Sequence, residues 1–212
     1  MVDRKKQDTC KIDFHDLSSI KARLPEIAEN IIESCSDLEC YTHVDYEPIP
    51  SKEGVIEIIN HLREILFPGY YSRAKIDPAN LKYAVGQSAT SLFDVLSEQI
   101  CHSIRHDCLR YDQPCSECDE QGYRLSLQFL EAIPALRKAL AADVRATYDG
   151  DPAAKSFDEV IFSYPGIFAI TVYRIAHLLL NFGVPLLPRI MTEYAPVSYT
   201  HLRAHETERT IS

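Results

Sequence analysis

Apolar residues in this chain recur three and four positions apart along most of its length, and no segment alternates apolar with polar residues well enough to make a strand. That pattern confines the fold to helices packed on helices, an all-α helical bundle. Leu17, Ile20, Leu24, Ile27, Ile31 and Ile32 form one stripe over 16–37, with Pro25 near a helix start or at a kink. Val55, Ile58, Ile59, Leu62 and Leu66 form a second over 52–66, which Phe67-Pro68-Gly69 stops. Residues 41–52, with Pro48 and Pro50, read as the linker between these two. A third helix is expected over 78–110, with Asp77 as its N-cap, Pro78 at its first position and Gly86 weakening or bending it. Residues 111–116 read as a break. A helix over 117–132 follows, and Pro134 is expected to open a separate one over 135–147. A loop over 148–155 then leads to a short helix at 157–163 and another at 166–182.

With 212 residues, 46% of them hydrophobic and 25% charged, the chain can bury a sizeable core. Its formal net charge is -9 and no Lys/Arg block stands out, which argues against nucleic acid or an anionic membrane as a partner. Residues 1–14 are polar and contain no apolar core of a signal peptide. The most apolar stretch, 167–182, is interrupted by Arg174 and His177 and falls short of the roughly 20 apolar residues of a membrane span. It reads as a buried helix, and the expected location is cytoplasmic.

Seven cysteines without a secretory signal are expected to be reduced thiols. Cys10, Cys35 and Cys40 are scattered. Cys115 and Cys118 have the spacing that lets two thiolates reach one metal, and Cys101, Cys108, His102 or His106 could complete a zinc site. Cys101 and Cys108 lie seven apart and share a helix face. Against a metal, there is one Cys-x-x-Cys rather than two, so structural thiols are the preferred reading, with a zinc site or a regulatory disulfide as alternatives.

Three further groups invite a chemical reading. On residue types alone, Asp149 and Asp151 in Asp149-Gly150-Asp151-Pro152 are turn-formers. Arg174 and His177 share a helix face, where an arginine pairing with a carboxylate and a packed histidine is the plainer account. Ser163 and Ser198 lack the Gly-x-Ser-x-Gly elbow of a nucleophile.

Four segments nevertheless resemble one family. Gly-Asp-Pro-Ala-Ala (150–154), Tyr-Pro-Gly-Ile (164–167), Tyr-Arg-Ile-Ala-His (173–177) and Val-Pro-Leu-Leu-Pro-Arg-Ile-Met-Thr-Glu-Tyr-Ala (184–195) resemble the serine O-acetyltransferases of cysteine biosynthesis. Leu66-Phe67-Pro68-Gly69-Tyr70 supports the likeness. The resemblance implies transfer of an acetyl group from acetyl-CoA, a co-substrate, to the hydroxyl of L-serine, with a histidine as general base oriented by a carboxylate. It also implies that Asp151 contacts the substrate's amino group, and that of the inhibitor cysteine, a contact suited to a charge-assisted hydrogen bond. A homo-oligomer built through the helical domain and an association with O-acetylserine sulfhydrylase are further implications.

In that family the helical part precedes a left-handed β-helix of hexapeptide repeats, which holds the catalytic groups. The seven glycines here recur at no fixed interval, and no such repeat is visible. From Pro196 the words Pro-Val-Ser-Tyr-Thr-His-Leu-Arg-Ala-His-Glu-Thr match one frame of a translated sequencing-library adapter. His201 and His205, spaced like a metal pair, therefore carry no functional weight. The expected organisation is a polar arm at 1–14, a helical domain at 15–195 and a non-native tail at 196–212. The expectation for the chain itself is a truncated acetyltransferase without activity, carrying no catalytic residue of its own. The alternative is a stand-alone helical interaction or Cys-cluster metal-binding module.

Overall fold

The computed structural model describes residues 14–37, 39–43, 49–72, 74–111 and 116–195, whose regular elements are all helices with no strand among them. The chain divides into two compact units, Met1–Tyr46 and Glu47–Ser212.

The first unit holds α1 (Phe14–Lys21) and α2 (Leu24–Ser34). The single stripe expected over 16–37 is thus two helices, and Pro25 is the reason. Pro25 has no amide with which to reach the Lys21 carbonyl, so the chain turns through Ala22 and Arg23 and restarts with the proline in the first turn of α2. The stripe itself finds no core within the unit, because Leu24, Ile27, Ile31 and Ile32 all remain exposed.

The second unit is a bundle of five helices, α3 (Lys52–Leu66), α4 (Leu81–Arg110), α5 (Cys118–Gly150), α6 (Phe157–Ser163) and α7 (Pro165–Asn181), followed by a helical stretch at 187–195. Helix α3 starts where Ser51, in an extended conformation, turns its hydroxyl to accept the Gly54 amide at 2.9 Å. The Ser51 amide in turn donates to Oε1 of the buried Gln99 on α4 at 2.8 Å, so the cap also fixes α3 against α4.

Helix α4 begins three residues later than expected. Oδ1 of Asp77 is occupied by the Ala79 and Asn80 amides in a tight turn, and Asn80 returns a bond to the Asp77 amide. That leaves 78–80 as a turn and Asn80 as an N-cap whose side chain makes no capping bond into α4. The largest departure is α5, which runs unbroken through Pro134 where a break was expected. A proline inside a helix costs about 3 kcal/mol. Phe129 and Ile133 before it, and Leu136 and Leu140 after it, are buried in one core. Each such side chain contributes about 1.5–3 kcal/mol, so their shared burial outweighs the lost bond.

Helix α4 packs on both α3 and α5, with Leu92, Leu96, Ile100 and Ile104 presenting one stripe. The crossing with α5 is close at Gly122. A Cβ there would lie 3.1 Å from the Ser97 carbonyl oxygen and 3.3 Å from the Cys101 Cβ. Helices α6 and α7 close the other side of α5, burying Val160, Ile167, Val172, Ile175 and Leu179. Among the described residues no single helix is long and apolar enough to cross a membrane. The pair α6 and α7 reaches that length only together and is bent by 71° at the break.

Candidate functional site

The loop between α5 and α6 is shorter than expected, because α5 runs on through Asp149 and Gly150 and ends at Asp151. Asp151 leaves the helix with φ -117° and ψ 103°, the extended conformation favoured before a proline. Its Oδ1 accepts the Ala153 amide at 2.9 Å, and its carbonyl accepts the Ala154 amide at 3.1 Å. Oδ2 accepts the Tyr164 hydroxyl at 2.7 Å. The Tyr164 phenol and the Ala153 amide hold the Asp151 carboxyl below its ordinary value of 3.8. The same bond works in the other direction on the phenol: accepting carboxylate beside it, Tyr164 is pushed up to about 12.

Local sequence places Tyr164 there. Ser156 caps α6 by accepting the Glu159 amide at 3.1 Å, and Glu159 reaches back to accept the Lys155 amide at 2.8 Å, a reciprocal arrangement that fixes where α6 starts. Helix α6 is seven residues long, Pro165 then opens α7, and Tyr164 sits extended at the corner between the two helices. The chemistry of the pair is that of an ionised carboxylate with each oxygen holding one donor. With the phenol protonated and donating, the pair presents a fixed negative charge that suits a cation.

Arg174 on α7 forms a two-pronged ion pair with Asp143 on α5, its Nε 2.5 Å from Oδ2 and its second nitrogen 2.6 Å from Oδ1. This is the carboxylate pairing expected of Arg174. His177 is exposed rather than packed, and its ring stacks on Tyr173 at 5.9 Å between centroids with 12° between planes. Neither residue adjoins the bonds that hold Asp151.

Among the described residues no group of three His, Cys, Asp or Glu side chains could hold a metal ion. Cys115 lies outside the described residues. The Cys101 thiol donates to Oδ1 of Asp119 at 2.7 Å, and Arg105 grips both oxygens of Asp119 at 2.9 and 2.8 Å. The thiol's bond foremost, with Arg105 and His102, holds the Asp119 carboxyl below its ordinary value. Cys108 is a free thiol, but Cys118 is disulfide-bonded, which corrects the expectation of reduced thiols throughout. The Cys108 and Cys118 sulfurs are 4.0 Å apart, Cys108 lying in the last turn of α4 and Cys118 opening α5.

Sequence reasoning singled out Asp151 but missed its partner. Tyr164 stood in a quoted motif, yet nothing in its neighbourhood announces a bond to a residue thirteen positions earlier. Asp143 and Asp119 were missed for the same reason. The signal for Asp143 was its place three residues after the buried Leu140 and seven after the buried Leu136, on the side of α5 that α7 covers.

No protein-family model matches the chain. Curated relatives do. A plasmid serine acetyltransferase of Synechococcus elongatus is 34% identical over 151 residues, covering 70% of this chain and 47% of the relative. Serine acetyltransferase 5 of Arabidopsis thaliana is 40% identical over 84 residues, covering 40% of this chain and 23% of the relative. Among solved structures, Entamoeba histolytica serine acetyltransferase 1 in complex with L-cysteine superposes with a TM-score of 0.54 at 25% identity, covering 86% of this chain and 61% of that one. The native form of the same enzyme gives 0.53 at 26% identity, with 82% and 59% covered. The chain spans about half the length of the first curated relative. Sequence and fold agree, and this chain is a homologue of the serine acetyltransferases.

Proposed function

We propose that this chain is the helical, serine-recognising part of a serine O-acetyltransferase, the enzyme class that moves an acetyl group from acetyl-CoA to the hydroxyl of L-serine. The observation that carries the proposal is the tethered Asp151. It lies in one of the segments that resemble the family, and it is ionised at neutral pH and fixed in direction by the Tyr164 hydroxyl and the Ala153 amide. An ammonium group approaching such a carboxylate meets a preorganised charge and a charge-assisted hydrogen bond. Asp151 is therefore read as the contact for the amino group of L-serine, and of L-cysteine as an inhibitor.

In this reading the transfer step belongs to groups other than Asp151, whose carboxylate is engaged by the Tyr164 hydroxyl and the Ala153 amide. The chain by itself is inactive in this reading, with acetyl-CoA bound by the remainder of an intact enzyme. Ile170, Tyr173, His177 and Leu180 leave a semi-apolar stripe of α7 uncovered. That stripe is the face proposed to meet other parts of an assembled homo-oligomer. Association with O-acetylserine sulfhydrylase and a cytoplasmic location follow from the same reading.

The test is a chimera in which residues 1–195 replace the matching part of the Synechococcus elongatus plasmid enzyme. The expected outcome is CoA release that depends on L-serine from the chimera and none from this chain alone. A well-folded chimera without serine-dependent CoA release would contradict the proposal, as would activity from the isolated chain.

A further inference from the structure

A cleft of about 660 Å³ opens between the end of α3, one stripe of α5 and α6, with Asp151 itself not among its lining residues. Its floor is apolar, with Phe67 from the turn after α3 and Phe157 and Ile161 from α6. Its wall is α5, which contributes positions 134, 137, 138, 141, 144 and 145, the spacing of a single helix face. Three of those positions are cations: Arg137, Lys138 and Arg145. They extend over eight residues, about 12 Å along the helix axis.

In a chain of net charge -9, this concentration of positive charge on one apolar cleft is a local reversal. Arg137 is anchored, its Nε donating to the Leu66 carbonyl at 3.2 Å and so satisfying the last turn of α3. Among the described residues Lys138 and Arg145 have no carboxylate partner. Tyr70, which also lines the cleft, has its hydroxyl committed to Asp158. The cleft is shaped by the Leu66-Phe67-Pro68-Gly69-Tyr70 segment, whose Gly69 adopts φ 88° to make the turn. The proposed acetyl transfer gives that segment no task.

We propose that this cleft is a binding site for a small amphipathic anion, one with an aromatic or acyl body on the Phe67 and Phe157 floor and an acidic group on Lys138 and Arg145. The size falls within the range of small-molecule sites, and the apolar lining with a few convergent polar groups is their usual make-up. The charge fixes the sign of the ligand, since a neutral or cationic body would leave both unpaired cations uncompensated. The site stands whether or not Asp151 binds serine.

The experiment titrates the full chain with 8-anilino-1-naphthalenesulfonate, an aromatic anion, and in parallel with N-phenyl-1-naphthylamine, its neutral counterpart. The expected result is saturation at one sulfonate per chain. The K138E/R145E variant should weaken sulfonate binding about tenfold or more, as two charge reversals at an exposed site imply. K138R/R145K should restore it, and the neutral dye should be indifferent to both. Should K138E/R145E fail to give the native circular dichroism spectrum, K138Q/R145Q serves in its place. Sulfonate affinity unchanged by the charge substitutions overturns the proposal. So does sulfonate binding that is abolished by I27E/I31E, which would assign the dye to the exposed face of α2.

Discussion

The Tyr164 hydroxyl donates to Oδ2 of Asp151 at 2.7 Å, and that bond shifts the titration of both residues in opposite directions. It fixes the direction of a carboxylate in a loop that backbone geometry alone would leave with one anchor, the Ala153 amide.

Titration should show the coupling. Asp151 is held below 3.8, so its bonds contribute stability above that pH, and the contribution is lost as pH falls through the lowered value. Tyr164 is raised from 10.0 to about 12, so its contribution is complete below pH 10 and is lost as pH rises through about 12. A difference titration of phenolate absorbance between the wild type and Y164F should isolate one tyrosine near 12. In Y164F the Asp151 carboxyl carbon should titrate at higher pH by NMR. An Asp151 titration identical in both proteins would mean the bond does not form in solution.

The Asp143–Arg174 pair joins α5 to α7 with two parallel hydrogen bonds, and Asp143 is only 18% exposed. A double-mutant cycle of D143N and R174Q, read by urea unfolding, should give a coupling of roughly 1–2 kcal/mol, above the usual surface pair. A coupling near zero would reduce the pair to a surface contact.

Pro134 offers a test of helix continuity. If α5 is one helix through that position, P134A restores the missing amide and removes the clash with the preceding turn. Stability should rise by roughly 1–3 kcal/mol, allowing for the freer unfolded chain. A loss of stability would point to a break at Pro134, as the sequence by itself suggests.

The cysteines should react in an order set by exposure. Cys35 and Cys40 are exposed thiols, Cys108 is half-buried and Cys101 is buried, while Cys118 is bonded. Maleimide labelling followed by peptide mapping should therefore modify Cys35 and Cys40 first, Cys108 later, and Cys118 only after reduction. Labelling of Cys118 in native protein without reductant would restore the reading of reduced thiols.

Where the sequence was readable and where it was not follows from the range of the forces involved. The α3 span was readable at both ends because Ser51 caps it and Phe67-Pro68-Gly69 ends it, both local effects. The α6 span was readable for the same reason through Ser156. Pro134 misled because a local rule was overridden by Phe129, Ile133, Leu136 and Leu140 packing into one core, a contest that no local window contains. Asp77 misled on a smaller scale, its side chain capping a turn instead of the helix three residues on. At the site, the resemblance supplied Asp151, whereas Tyr164, Asp143 and Asp119 became partners only through tertiary packing.

The most direct test of the central claim is the KM for L-serine of the chimera carrying 1–195, measured with and without D151N. The account predicts that D151N raises this KM by about tenfold or more, the cost of losing a charge-assisted contact, while the KM for acetyl-CoA stays unchanged. A KM for L-serine unaffected by D151N would contradict the account, leaving Asp151 as the turn-former that its neighbours Gly150 and Pro152 also describe.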